Sequence, residues 1–249
     1  METNQVIETM LKHRSVRKFK QEKPSDEAIR TIVRAAQQAP FASQSYSFLL
    51  KRKGKLPYGA PLMFTVCVDI YKVELFMERR GWKRVANDLG MLFFALQDAS
   101  LAAQNLVLAG ESIGLGSCFL GNTLYRAERV KKEYNLPDKV FPFVQLVMGY
   151  SDEDYPPRPR FPQDFTLFED EYKITDKMLT EAMQAMDEGY LAQGYYQKKK
   201  IKIKLENGRK DSFTFDDYSW TEHISRKWGQ WMEDPQELLN QLKKCGLEW

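Results

Sequence analysis

The chain has 249 residues, 43% of them hydrophobic and 29% charged, and its 37 basic and 34 acidic side chains leave a net charge of +3. This ordinary globular balance excludes bulk disorder, and the charge is too small to mark a nucleic-acid protein by itself. The opening residues lack the basic-then-apolar layout of a signal peptide, and the longest uncharged stretch of the main apolar region, 99–110, falls short of the roughly 20 residues that cross a bilayer, so a cytoplasmic protein away from membranes is expected.

Residues 3–13 carry Val6, Ile7, Met10 and Leu11 at helical spacing, and 14–19 follow as a turn or short extended piece. Pro24-Ser25-Asp26-Glu27 is a helix start: a serine cap with acids in the first turn, where the helix dipole favours them. Ile29, Ile32, Val33 and Ala36 line one face of that helix, and Pro40 marks its end. The apolar run 62–68 reads as a buried strand between Pro61 and Asp69. Residues 88–113 form a long helix, apolar around most of its circumference, which suits the centre of a fold or a subunit interface. A second buried strand is expected over 143–148, closed by Gly149.

After Tyr150 the texture changes. Residues 151–174 are rich in proline and aromatics and have no regular period, so they read as an ordered connector. A helix is expected over 175–188. Alternating Lys with Ile and Leu over 199–205, the Asn207-Gly208 dipeptide, and Phe213-Thr214-Phe215 together predict a β-hairpin. The aromatic tail, with Tyr218, Trp220, Trp228 and Trp231, reads as packing, and 235–245 is a final amphipathic helix. Cys67, Cys118 and Cys245 are odd in number and far apart, which fits reduced thiols.

Three constellations can carry chemistry. Arg14, Ser15 and Arg17, with His13 beside them, put two guanidinium forks and a hydroxyl within four residues. Such a group can surround a phosphate, or lie in water as a basic turn. In an extended backbone Arg14, Val16 and Lys18 point one way, and Ser15 and Arg17 the other. The run from Gly114 to Asn122 fails the dinucleotide fingerprint, because position 119 is Phe and the glycines follow a helix. It reads as a glycine helix stop followed by a loop open to a flat ligand, or as a plain helix-to-strand turn. Arg158-Pro159-Arg160 presents two arginines on a stiff backbone, as a site or as a rigid linker. With two histidines, His13 and His223, and no Cys-x-x-Cys, a zinc site is not expected, and neither a nucleophile elbow nor a P-loop occurs.

Taken together, His13-Arg-Ser-Val-Arg17-Lys-Phe19, Ala39-Pro40-Phe-Ala-Ser43-Gln44-Ser-Tyr46, Asp98-Ala-Ser-Leu-Ala-Ala-Gln104-Asn105, Gly114-Leu-Gly-Ser-Cys118, Gly149-Tyr150 and Pro159-Arg160-Phe-Pro162 resemble the FMN-dependent nitroreductase and flavin reductase family over roughly 3–175. The resemblance implies an α+β three-layer sandwich, a small mixed β-sheet flanked by helices, in an interlocked homodimer. It implies an FMN-binding domain over 1–175. The extension 176–249, with helix, hairpin and terminal helix, would serve the dimer or cap the pocket. It implies FMN as cofactor, with Arg14 and Arg17 at its phosphate and ribityl end and His13 and Ser15 beside them. Arg158 and Arg160 would complete the phosphate cage. Ser43 and Gln44 would reach the flavin from the partner subunit, and Phe119, Leu120, Gly121 and Asn122 would run along the ring. Asp98, Gln104 and Asn105 are expected to be structural.

The implied reaction passes hydride from NADH or NADPH through the flavin to a nitroaromatic, quinone or flavin acceptor by a ping-pong route, with no catalytic side chain and no metal. The alternatives are a non-catalytic FMN-binding or storage protein, or a specialised reductive dehalogenase or dehydrogenase on the same scaffold. Arg126, Arg129, Lys131, Lys132 and Lys198 to Lys200 form a basic row that reads as a solvated face or as a receiver for a 2′-phosphate. One departure stands out: relatives place a strand and a helix between the positions of Tyr46 and Pro61, whereas here 47–60 is short and 51–55 reads as a polar stub. A ring-contacting Gln of the family has no match there, and Tyr58 stands nearby.

Overall fold

The computed structural model describes residues 2–206, 208–230 and 234–249; Asn207 of the turn dipeptide and Trp231 of the aromatic tail lie outside the described residues. In chain order the elements are α1 (Gln5–Leu11), α2 (Asp26–Ala36), β1 (Tyr46–Lys51), β2 (Leu62–Asp69), α3 (Tyr71–Arg79), α4 (Leu89–Ser112), β3 (Leu115–Leu120), α5 (Ala127–Tyr134), β4 (Val140–Tyr150), α6 (Asp176–Ala192), α7 (Tyr195–Lys199), α8 (Trp220–Gln230) and α9 (Pro235–Lys244). They form two compact units: Met1–Pro156 with Asp234–Trp249, and Pro157–Glu233. This division differs from the one read from sequence at 175/176, since the terminal helix belongs to the first unit.

The first unit is built on one sheet in the order β1-β2-β4-β3. Among the described residues all three strand pairings are antiparallel, so the expected mixed sheet is antiparallel in its strands; an isolated bridge between Ser15 and Ser117 is parallel. Side chains alternate across the sheet. Leu62, Phe64, Leu146 and Met148 meet Ile29, Ile32 and Ala36 of α2 and Leu106 and Val107 of α4. Met63, Cys118 and Val147 face the other way and are covered by Val16 and Phe19 of the N-terminal segment and by Leu56 and Ala60. Each large side chain so buried contributes on the order of 1.5–3 kcal/mol relative to exposure.

Local chemistry sets the element ends as expected. Ser25 Oγ accepts from the Ala28 amide at 3.0 Å at the start of α2. Gly114 stops α4 with φ of +84°, a backbone that costs glycine nothing. By length and composition α4 could cross a membrane, but Asp98 at its middle is buried and it packs on α2 and the sheet. Asp88, just before α4, is also buried and binds the Glu248 amide at 2.6 Å, Lys139 at 2.8 Å and Arg84. That carboxylate ties the end of the chain to the first unit.

Two expectations are corrected and one is refined. In the short 47–60 region β1 fills Tyr46–Lys51 and pairs with β2, the polar stretch 52–55 has no regular structure, and the helix is reduced to a 3-10 turn at Pro57–Gly59. The run after Gly114 is strand β3 rather than a loop, its first four residues buried; its glycine and serine disguise the strand, because packing against β4 rather than side-chain propensity makes it. In the second unit, no strand occurs over 199–215 among the described residues. Side chains replace the ladder there. Arg226 donates to Ile203 O at 2.7 Å, Gln230 to Lys204 O at 2.6 Å and Lys202 to Phe213 O at 2.6 Å, while Tyr218 accepts from the Ile203 amide at 3.2 Å. Arg226 itself is buried, paired with Asp211 and Glu222 at 2.7 Å each.

Candidate functional site

The basic N-terminal segment is clamped onto β3. The Val16 amide donates to Ser117 O at 2.7 Å, and the Val16 side chain is buried against Gly116. A Cβ at 116 would lie 2.5 Å from Val16 Cγ2, so the glycine is what allows the close approach. From the far side, Tyr155 donates its hydroxyl to Ser15 O. Glu153 Oε1 accepts from the amides of Arg17 and Lys18 at 2.5 and 3.1 Å. The backbone of 15–18 is therefore fixed by neighbours, leaving its side chains to face other groups.

Those side chains have different surroundings. Arg14 lines a cavity of about 280 Å³ with Val16, Gly116, Lys12 and Glu111, on the face that alternation assigns to Arg14 and Val16. Its guanidinium meets Asp154 at 3.0 Å, but the Asp154 side chain is 92% exposed. A pair in that much water is weak and readily exchanged for a better anion. His13 Nδ1 and Glu111 Oε1 lie 2.6 Å apart. Glu111 Oε2 and the Ser117 hydroxyl are buried without a protein partner, an arrangement that leaves polar capacity for a ligand or water beneath the segment.

At the other end of β3 lies a second cavity of about 380 Å³, lined by Phe119, Leu120, Gly121, Asn122, Tyr58 and Gln145, with Arg126 and Arg129 at its edge. The chain turns there from β3 into a 3-10 helix at Gly121–Arg126. The amides that open such a helix have no partner within it. Thr123 Oγ1 fixes the turn by donating to Leu120 O at 2.8 Å and accepting from the Gln145 amide at 3.0 Å. Tyr58 is held at φ 58°, a left-handed backbone uncommon outside glycine. Its ring and that of Phe119 remain 46% and 39% exposed, two apolar surfaces beside polar donors.

Ser43 and Gln44 sit on a loop organised by α4. Buried Asp98 accepts from the amides of Ala42, Ser43 and Ser45 at 2.6, 3.0 and 3.1 Å, and Ser43 Oγ lies 2.7 Å from Ser45 Oγ. Asp98 has the structural role expected of it, and Asn105 likewise donates to Ala35 O. Arg158 and Arg160 belong to the second unit. There Arg158 meets Gln193 and lies 4.3 Å from the Tyr195 ring centre. Arg160 is exposed and donates to the carbonyls of Arg158 and Pro159 at 3.0 and 3.1 Å.

The structure thus gathers His13, Arg14, Ser15 and Arg17 on one clamped segment, and Phe119 to Asn122 along one cavity. Sequence reading missed the bracing residues Glu153 and Tyr155 and the pair Thr123–Gln145. One signal was available: the acidic run Asp152-Glu153-Asp154, directly after β4, complements the basic segment. Among the described residues no three His, Cys, Asp or Glu side chains cluster as metal ligands.

The sequence model of the nitroreductase family matches residues 10–52 and 48–150. The FMN reductase (NADPH) of Bacillus subtilis is 31% identical over 201 residues, 74% of this chain and 81% of the relative. The structure of the NfrA1 nitroreductase from B. subtilis superposes with a TM-score of 0.79 at 27% identity, covering 97% of this chain and 98% of that one. The NfrA2 structure from B. megaterium shares the fold with a TM-score of 0.83 at 24% identity, over 99% of both chains.

Proposed function

The chain belongs to the nitroreductase family, and from that premise we propose that it is an NAD(P)H-dependent FMN oxidoreductase. The observation that carries this reading is the clamped 14–17 segment: its backbone is held by Ser117, Glu153 and Tyr155, while the carboxylate that pairs with Arg14 is solvent-exposed and the Tyr155 ring lies beside the guanidinium. The residues present fit FMN. Arg14 and Arg17, with His13 and Ser15, would hold its phosphate and ribityl end through charge-assisted hydrogen bonds. Gly121 and Asn122 would turn amide donors toward the ring, where fixed donors stabilise negative charge without reorganising. Tyr58 and Phe119 would exclude water from its face. For Arg158 and Arg160 the same role rests on the resemblance alone.

When bound, FMN supplies the hydride chemistry between a nicotinamide and an acceptor. The exchange is ping-pong in this reading, with nitroaromatics, quinones or free flavin as acceptors. The chain's part is to bind, orient and shield, and no side chain needs to act as acid or base. The storage-protein alternative rested on the shortened 47–60 region; β1 keeps the strand there and Tyr58 lines the cavity of Phe119 to Asn122, which favours the enzyme. A cytoplasmic homodimer belongs to the proposal as well, supported by the exposed face of α4 at Phe93, 61% exposed, and Leu101, 45% exposed.

The test is the absorption spectrum of the purified protein before and after anaerobic NADPH. A yellow protein that bleaches on mixing is the expected result. A protein that is colourless, and stays so with added FMN, overturns the reading.

A further inference from the structure

The basic row read from sequence separates into two kinds of residue. Lys132 and Lys244 engage Glu128 at 2.7 and 2.8 Å, Lys51 engages Glu133 at 2.5 Å, and Lys131 engages Asp138. The acids around α5 are thereby committed, and Glu128, hydrogen-bonded by Lys132 and Lys244, has its pKa lowered to about 2 and stays ionised for them. Arg126 and Arg129 make no ion pair among the described residues, and both are exposed. They stand three residues apart at the start of α5, a spacing that puts two side chains on one helix face. Both border the cavity of Phe119 to Asn122.

We propose that Arg126 and Arg129 form a phosphate-monoester subsite for a co-substrate, distinct from the grip on the resident flavin at Arg14 and Arg17. The inference rests on the oxidoreductase reading above and deepens it. Two planar guanidinium forks without carboxylate partners match a dianionic phosphate in charge and in hydrogen-bond geometry. Two co-substrates of this reaction class carry such a group: NADPH at its ribose 2′-position, and free FMN as acceptor at its terminal phosphate. NADH and riboflavin lack it. The pyrophosphate, common to NADH and NADPH, gives no discrimination. An unpaired arginine is the usual device for accepting a 2′-phosphate.

The experiment uses the FMN-loaded protein, with R126A/R129A and R126K/R129K as variants. Steady-state kcat/KM is measured for NADPH against NADH with riboflavin as acceptor, and for FMN against riboflavin with NADH as donor. Calorimetry follows binding of 2′,5′-ADP against 5′-AMP, and of added FMN against riboflavin. In the alanine pair, one preference ratio falls about tenfold or more, the loss of at least one charge-assisted contact, and the lysine pair recovers part of it. A fall in the NADPH/NADH ratio, with loss of 2′,5′-ADP binding, assigns the 2′-phosphate; a fall in the FMN/riboflavin ratio assigns the acceptor phosphate. If both ratios and both binding differences match the unsubstituted protein, the subsite is refuted while the oxidoreductase reading stands. If the unsubstituted protein oxidises neither nucleotide, that reading fails, and calorimetry alone then decides the subsite.

Discussion

Two guanidinium groups three residues apart can lie in water or grip an anion, and the backbone between them decides which. At Arg14 and Arg17 that backbone is spoken for: Ser15 O, the Val16 amide and the Arg17 amide each have a partner outside the segment. Holding the backbone removes the entropy that ordering a free turn would cost on binding. Arg14 spends its charge on an exposed aspartate, a contact worth little in water. Anchoring, not chemistry, is the role this predicts. R17A should therefore lose FMN before it loses anything else, weakening flavin binding about tenfold or more, with activity restored by excess FMN. The ratio of flavin to protein absorbance after gel filtration reads this directly. A variant that kept full flavin but lost hydride transfer would contradict the assignment.

At the scale of elements, legibility followed periodicity. Helices α2, α4 and α9 and the buried strand β2 announced themselves by apolar spacing, because their own side chains enter the core, while α1 was legible by its spacing although it buries none of its residues. Strand β3 did not, since Leu115-Gly-Ser-Cys118 carries little strand propensity and owes its state to β4 beside it. The 199–215 stretch erred in the opposite sense: its alternation suggested a hairpin, yet its backbone bonds to Arg226, Gln230 and Tyr218, a choice made by residues far along the chain. The same limit applied to the site. The arginines could be named from sequence, but the acids and tyrosine that brace them could not. Gly116 shows how tightly β3 and the N-terminal segment depend on each other. G116A would press Cβ to 2.5 Å from Val16 Cγ2, a backbone-proximal clash expected to cost about 1–3 kcal/mol. It should lower both thermal stability and flavin content. Adding V16A should recover part of the loss, and a double-mutant cycle giving no coupling between 16 and 116 would refute this account.

At the scale of the whole molecule, two carboxylates bind the C-terminal segment into the first unit. Glu128 holds Lys244 at the end of α9, and Asp88 holds the Glu248 amide. Burial alone would raise the pKa of Asp88, but hydrogen bonds from Lys139, the Glu248 amide and Arg84 leave it lowered. For Glu128, hydrogen-bonded by Lys132 and Lys244, it falls to about 2. Depressed values contribute stability above the unfolded pKa of about 4, lost as pH falls through the folded value. Acidification toward pH 2 should thus release the C-terminal segment before the α2–α4 core, visible as early hydrogen exchange at Leu242 and Leu247. E128Q should flatten that acid dependence; exchange as late as in α4 would refute it. A larger question is what covers α4. Its 24 residues span about 36 Å, and opposite its buried side Leu89, Phe93 and Leu101 recur at multiples of four, all exposed. These residues cover about 18 Å of the helix, and an exposed apolar surface of that extent is the mark of an interface rather than of a wetted surface. The same helix pins the Ser43–Gln44 loop through Asp98, the loop that the family resemblance would send to the partner's flavin. Interface and site would then share one rigid element, so that breaking the first empties the second. F93E should convert a two-chain species to single chains in sedimentation and strip FMN in the same preparation, although residue 93 lines neither cavity. A protein that sediments as one chain before substitution, or a monomeric F93E that keeps its full flavin, would refute the coupling.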